Sequence, residues 1–125
     1  MTLSSEKRIL VVEDQKEIRS LLARQLEGAG FSVATAENGT VALALLKKED
    51  FDLIISDMVM PGPIQGQDLA KSVCEKISDQ KFIFLSGYAE HLCDREYSVV
   101  SKFPKLAKPI FRAELIAAVR KVLSG

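Results

Sequence analysis

The chain has 125 residues, 47% apolar and 27% charged, which is the mix of one ordinary globular domain rather than of a disordered segment. Lysine plus arginine number 17 and aspartate plus glutamate number 17, and this balance argues against a dedicated nucleic-acid binder, which carries a basic excess. The longest apolar run, 41–46, has six residues, far short of the roughly 18 of a membrane span. The polar start, residues 1–8, lacks a signal-peptide core, so a cytoplasmic location is expected. Two cysteines, Cys74 and Cys93, are too few for a disulfide framework and lack metal-ligand spacing, so both read as reduced helix thiols, Cys74 partly buried and Cys93 exposed.

In chain order, 9–12 is an apolar run of strand type, and 16–28 places Ile18, Leu21, Leu22 and Leu26 at helical spacing. Gly28 and Gly30 end that helix. A second strand is predicted at 31–36. Asn38 then suits the cap of a helix that uses Val41, Ala42, Leu45 and Leu46. A third strand-like run, 53–55, leads to a loop marked by Pro61, Gly62, Pro63 and Gly66. The helix after it sets Leu69, Ala70, Val73 and Ile77 on one face. A fourth strand at 82–85, a weaker helix at 88–99, a short fifth strand at 103–107 and a last helix at 111–124 complete the chain. The last helix carries Leu115, Ile116, Val119, Val122 and Leu123.

Repeated β–α units joined by short connections form a parallel sheet with helices on both faces. Strands that are apolar throughout suit a sheet covered on both sides. No linker or low-complexity tract interrupts the pattern, and residues 1–125 read as one α/β domain.

In such a sheet ligands bind at the carboxyl ends of the strands. The residues just past those ends are Glu13 and Asp14, Asp57, Ser86 and Lys108. Clustered carboxylates repel: two unit charges about 4 Å apart cost roughly 4 kcal/mol at an effective dielectric of about 20. A divalent cation relieves that repulsion, and oxygen-only ligands favour Mg²⁺ shared with a phosphate. A carboxylate there can attack phosphorus to give an aspartyl-phosphate. The three oxygens of the transferring group could then meet the metal, the Ser86 hydroxyl and the Lys108 ammonium. Each residue alone also has a plain structural explanation: helix-dipole acids, a turn aspartate, a Ser-Gly turn, a Lys-Pro helix start. Their convergence on one sheet edge is what points to chemistry.

The motifs Ile9-Leu-Val-Val-Glu-Asp14, Asp57-Met-Val-Met-Pro-Gly62, Ser86-Gly-Tyr-Ala89 and Lys108-Pro109 resemble, in order and spacing, the receiver domain of two-component response regulators. The resemblance spans essentially the whole chain, and the Ser-Gly-Tyr-Ala wording is similar to receivers of hybrid histidine kinases. It implies a flavodoxin-like (βα)5 fold with strand order 2-1-3-4-5. It casts Asp57 as phosphoacceptor and Glu13 and Asp14 as the acidic pair that holds Mg²⁺ with Asp57 and the Val59 backbone carbonyl. Ser86 becomes the switch hydroxyl and Lys108 the phosphate-pairing lysine. The domain would take its phosphoryl group from a histidine kinase or histidine phosphotransfer protein. It would signal to a downstream protein by the face of the fourth helix, fifth strand and fifth helix, as a switch rather than an enzyme. Val59 and Tyr88 would flank the path of the hydrolytic water. The chain is expected either to signal by protein contact or to be excised from a larger protein.

Two positions depart from the family pattern. Lys105 stands in the usual aromatic switch slot, with Phe103 two residues earlier on the same face of a regular strand. Phe111 stands where a helix-capping residue is common. Residues 101–125 hold six basic side chains and one acidic, whereas residues 1–61 hold seven basic and ten acidic. Lys105 is expected to stay outside, and Lys102 and Lys105 to meet an acidic partner. His91, the only histidine, reads as a surface residue. Two rivals remain: a pseudo-receiver that binds partners without phosphorylation, and a flavodoxin-like nucleotide or flavin binder. The second needs a phosphate-cradling loop after the first strand, but Glu13-Asp14-Gln15-Lys16 has no glycine and the wrong charge.

Overall fold

A computed structural model describes residues 6–87 and 102–125. The predicted helix at 88–99, with Tyr88, His91 and Cys93, lies outside the described residues. The elements run β1 (Arg8–Val12), α1 (Lys16–Gly28), β2 (Ser32–Ala36), α2 (Gly39–Leu46), β3 (Leu53–Asp57), α3 (Gly66–Lys76), β4 (Phe82–Ser86), β5 (Lys105–Ala107) and the C-terminal helix α4 (Arg112–Ser124). The strands form one parallel sheet in the order β2-β1-β3-β4-β5.

Alternate residues of each strand face opposite sides of the sheet, so two cores form. On one side Ile9, Val11, Leu53, Ile55, Ile83 and Leu85 pack under Leu22 and Leu26 of α1 and Leu115, Ile116 and Val119 of α4. On the other, Leu10, Val12, Ile54, Phe82 and Phe84 pack under Ala42 of α2 and Leu69, Ala70 and Val73 of α3. This double burial is why the central strands are apolar at every position.

Local chemistry sets the helix ends. The Asn38 side chain accepts from the Val41 N–H at 2.9 Å, so it caps α2 as its sequence suggests. Gly30, just past α1, has φ 99°, a conformation that glycine adopts without strain. Phe111 precedes α4 and offers no side-chain cap; its carbonyl accepts from the Leu115 N–H at 2.9 Å.

Four expectations need correction. Leu21 is 43% exposed, outside the buried stripe of α1. Val41 of α2 is exposed as well. Ile77 is not on the α3 face: α3 stops at Lys76, and Ile77 is extended and exposed. The fifth strand begins at Lys105, because Pro104 has no N–H for the ladder, although its carbonyl accepts from Phe84 at 2.9 Å. Phe103 therefore lies before the strand rather than on a shared strand face. Its ring sits 5.2 Å from Phe82 and 5.9 Å from Phe84, as a core residue.

Candidate functional site

Register brings the chemistry together. Val12 pairs with Ser56, Asp57 with Leu85 and Ser86 with Ala107, so Glu13, Asp57, Ser86 and Lys108 emerge at neighbouring levels of one sheet edge. The ladder continues past the strand ends: Met58 N–H donates to Leu85 O at 3.0 Å and Lys108 N–H to Ser86 O at 2.8 Å. The peptide bond from Lys108 to Pro109 is cis.

Glu13, Asp57 and Ser86 are buried and Asp14 is exposed. Lys108 Nζ lies 2.8 Å from Asp57 Oδ1 and 3.2 Å from Glu13 Oε1. The other Glu13 oxygen, Oε2, accepts from the Gln15 N–H at 3.0 Å. Asp57 Oδ2 is buried and meets no hydrogen-bond donor. One ligand oxygen from each of Glu13, Asp14 and Asp57 lies within 4.8 Å of the others. Burial, reinforced by the charge of Glu13, pushes the Asp57 carboxyl up to about 7 despite the opposing pull of Lys108. Burial alone would lower the Lys108 ammonium, but the carboxylates of Asp57 and Glu13 outweigh it and hold Lys108 above its ordinary value.

All four charged residues singled out in the sequence therefore meet, and Ser86 ends the adjoining strand. Val59 is on the loop two residues past Asp57 and is 54% exposed. Lys105 is half-buried as a residue and pairs in register with Phe84. Cys74 is half-buried, and burial raises its thiol against a weaker opposing effect of Lys102.

Two supporting residues escaped sequence reasoning. Arg19, one turn into α1, donates through Nη1 to the carbonyls of Glu13 at 2.8 Å and Asp14 at 3.3 Å, so it holds the acidic turn. Gln65 staples the loop after Asp57. Its Oε1 accepts from Met60 N–H at 2.8 Å, and its Nε2 donates to Met60 O at 2.6 Å and Gly62 O at 3.1 Å. The usable signals were an arginine one turn beyond an acidic pair and a long amide directly before Gly66.

The response regulator receiver domain family profile matches residues 9–120. The chain belongs to that family, and its acidic edge is the receiver pocket of a two-component system. Among its relatives is the response regulator receiver protein CpdR of Brucella abortus, 33% identical over 117 residues, covering 94% of this chain and 97% of CpdR. The sensor kinase CckA of the same organism is 34% identical over 123 residues, covering 97% of this chain but only 13% of CckA. The chain spans about half the length of other curated relatives, such as the probable transcriptional regulators ycf27 of Porphyra purpurea and Pyropia yezoensis. Chemotaxis response regulator CheY4 of Vibrio cholerae superposes with a TM-score of 0.86 at 30% identity, covering 95% of this chain and all of that one. Response regulator TrrA of Thermotoga maritima, solved with Mg²⁺ and BeF, gives 0.82 at 37% identity, covering 94% and 99%. No helix among the described residues is long and apolar enough to cross a membrane.

Proposed function

We propose that Asp57 accepts a phosphoryl group from a phosphohistidine of a histidine kinase or histidine phosphotransfer protein, and that the domain is a switch rather than an enzyme acting on an external substrate. The observation that carries this reading is the asymmetry of Asp57: Lys108 neutralises Oδ1 at 2.8 Å while Oδ2 is buried with no donor beside two more carboxylates. Such a donor set fits a hard divalent cation with oxygen ligands, and Mg²⁺ fits it better than a metal that prefers histidine or thiolate. Glu13, Asp14 and Asp57 would hold Mg²⁺, with the Val59 carbonyl as the further ligand that the family resemblance assigns. When bound, Mg²⁺ supplies positive charge to the carboxylates and to the oxygens of the transferring group.

Asp57 supplies the nucleophilic oxygen. As its O–P bond forms, the N–P bond of the phosphohistidine breaks and the electron pair returns to that ring nitrogen, so a ring already protonated at its other nitrogen leaves as neutral imidazole. Lys108 releases part of its pairing with the Asp57 carboxylate and meets a phosphoryl oxygen. The Ser86 hydroxyl, at the end of β4, can donate to another. Turnover is limited to slow hydrolysis of the domain's own aspartyl-phosphate.

The test is intact mass after incubation with acetyl phosphate and Mg²⁺. Wild type gains one phosphate, Asp57→Asn gains none, and EDTA prevents the gain. A phosphate that still appears on Asp57→Asn moves the acceptor elsewhere. No gain under any condition favours the pseudo-receiver.

A further inference from the structure

Residues 41–46 of α2 are all apolar and Thr40 is its one polar residue, so although Leu43, Leu45 and Leu46 pack against the core, much of the helix surface turned to water is apolar. A helix apolar all round belongs in an interior. Yet only Gly39 and Ala42 of α2 are buried, Ala44 is exposed and Val41 is 37% exposed. Two adjoining hollows flank the helix. One, of about 510 Å³, runs between Leu43 and Leu46 of α2 and Val73 of α3, ending at the exposed Ile77. The other, of about 450 Å³, lies between Thr40 and Ala44 of α2 and Ile64. Leu43 and Lys47 line both, so the hollows form one surface.

Charge defines the occupant. Lys47, Lys48 and Lys76 border this surface and are exposed, whereas Glu75 is the single acidic residue lining it. Lysines after helices also complement helix dipoles, but a dipole does not account for the apolar ridge between them. We propose that the α2–α3 surface docks an acidic amphipathic helix of a partner protein, with apolar side chains in the two hollows and carboxylates against Lys47, Lys48 and Lys76. The surface also touches the acceptor loop. Ile64 lies in the loop between Asp57 and α3, and it packs so closely on Gly39 that a Cβ there would lie 2.4 Å from Ile64 Cβ. Movement of that loop would therefore reshape one hollow. The docking itself does not depend on phosphorylation.

The probe is a synthetic peptide with leucines at helical spacing and glutamates elsewhere. It is compared with a scrambled peptide of the same composition and with a version carrying lysine for glutamate. Amide chemical shifts of the full chain are followed on titration. Saturable binding of the acidic peptide is expected, with shifts on α2, α3 and the Ile64 loop. Affinity should fall about tenfold in Lys47→Glu/Lys48→Glu, and it should fall with added salt because exposed charges are screened. Leu43→Ser should weaken it similarly, and the lysine variant carries the test if Leu43→Ser unfolds. No saturable binding, equal binding of the scrambled or lysine peptide, or unchanged affinity in the lysine variant would overturn the proposal. Self-association of the chain that the lysine variant abolishes would also overturn it, in favour of a second copy as occupant.

Discussion

At Asp57 two physical effects compete, and burial wins. The Lys108 ammonium favours the carboxylate, but removal from water and the nearby Glu13 charge raise the carboxyl to about 7. A raised folded-state value means that ionising Asp57 works against folding. Its contribution to stability is fully present below the unfolded value of 3.8 and is lost as pH rises through about 7. In EDTA, Asp57→Asn should therefore melt higher than wild type at about pH 8, and the advantage should shrink towards about pH 4. Thermal melts across that range check it, and a variant less stable at the alkaline end refutes the account. A second residue-scale expectation concerns Val59, two residues past Asp57, which has no group able to orient water and is 54% exposed. On the proposed function, Val59→Asn adds a polar amide there and should shorten the life of the aspartyl-phosphate severalfold. Loss of phosphate mass with time measures it, and an unchanged or longer lifetime removes Val59 from control of hydrolysis.

Among the described connections, that between β3 and α3 is tied by several side-chain and backbone hydrogen bonds. Gln65 ties it internally, the Asp68 carboxylate accepts from the Gln65 N–H at 2.9 Å, and the Gly66 N–H donates to Met58 O at 3.0 Å. Gly66 stands so close to β3 that a Cβ would lie 2.4 Å from Asp57 O and 2.8 Å from Met58 Cα. Both are backbone atoms, so relief requires moving the acceptor strand itself. Gly66→Ala should cost about 1–3 kcal/mol, the range for overpacking, read as a lower urea midpoint at unchanged slope. It should also reduce phosphate uptake, because Asp57 moves with its carbonyl. A variant with wild-type midpoint and uptake would show that the contact relaxes freely. Gly66 was visible in the sequence only as a loop marker, since close backbone approach leaves no pattern in one chain. Phe103 and Ile77 were misplaced for a related reason: apolar residues beside an element extend its periodic pattern, and only Pro104 or a change to extended backbone reveals the boundary.

For the molecule as a whole, the sheet converts sequence order into an active edge. The acidic early segment and the basic late one meet because β1 and β3 are neighbours and β5 is the edge strand beside β4, which places Lys108 over Glu13 and Asp57. The order of the described elements and the four charged site residues were legible because β1, β3 and β4 are short apolar runs that end in, or are followed directly by, a site residue. The supports were not: Arg19 and Gln65 act through backbone carbonyls and amides, which any donor or acceptor at the right height could reach. Nor did helical spacing foretell how much of α2 stays exposed, since residues 41–46 are apolar without a break. The same convergence ties stability to metal. Carboxylates gathered within 4.8 Å repel in the folded chain and separate on unfolding. On the proposed function Mg²⁺ binds only the folded state, and it should stabilise by about 2.7 kcal/mol at a concentration of about 100 times its Kd. Protons compete for Asp57, whose carboxyl titrates at about 7, so apparent Mg²⁺ affinity should rise with pH through that value. Melting temperature measured against Mg²⁺ at about pH 6 and about pH 8 checks both points, and Asp57→Asn should lose most of the gain at the higher pH. An Mg²⁺ effect of equal size at both pH values, or one that survives in Asp57→Asn, would place the ion away from the carboxylate edge.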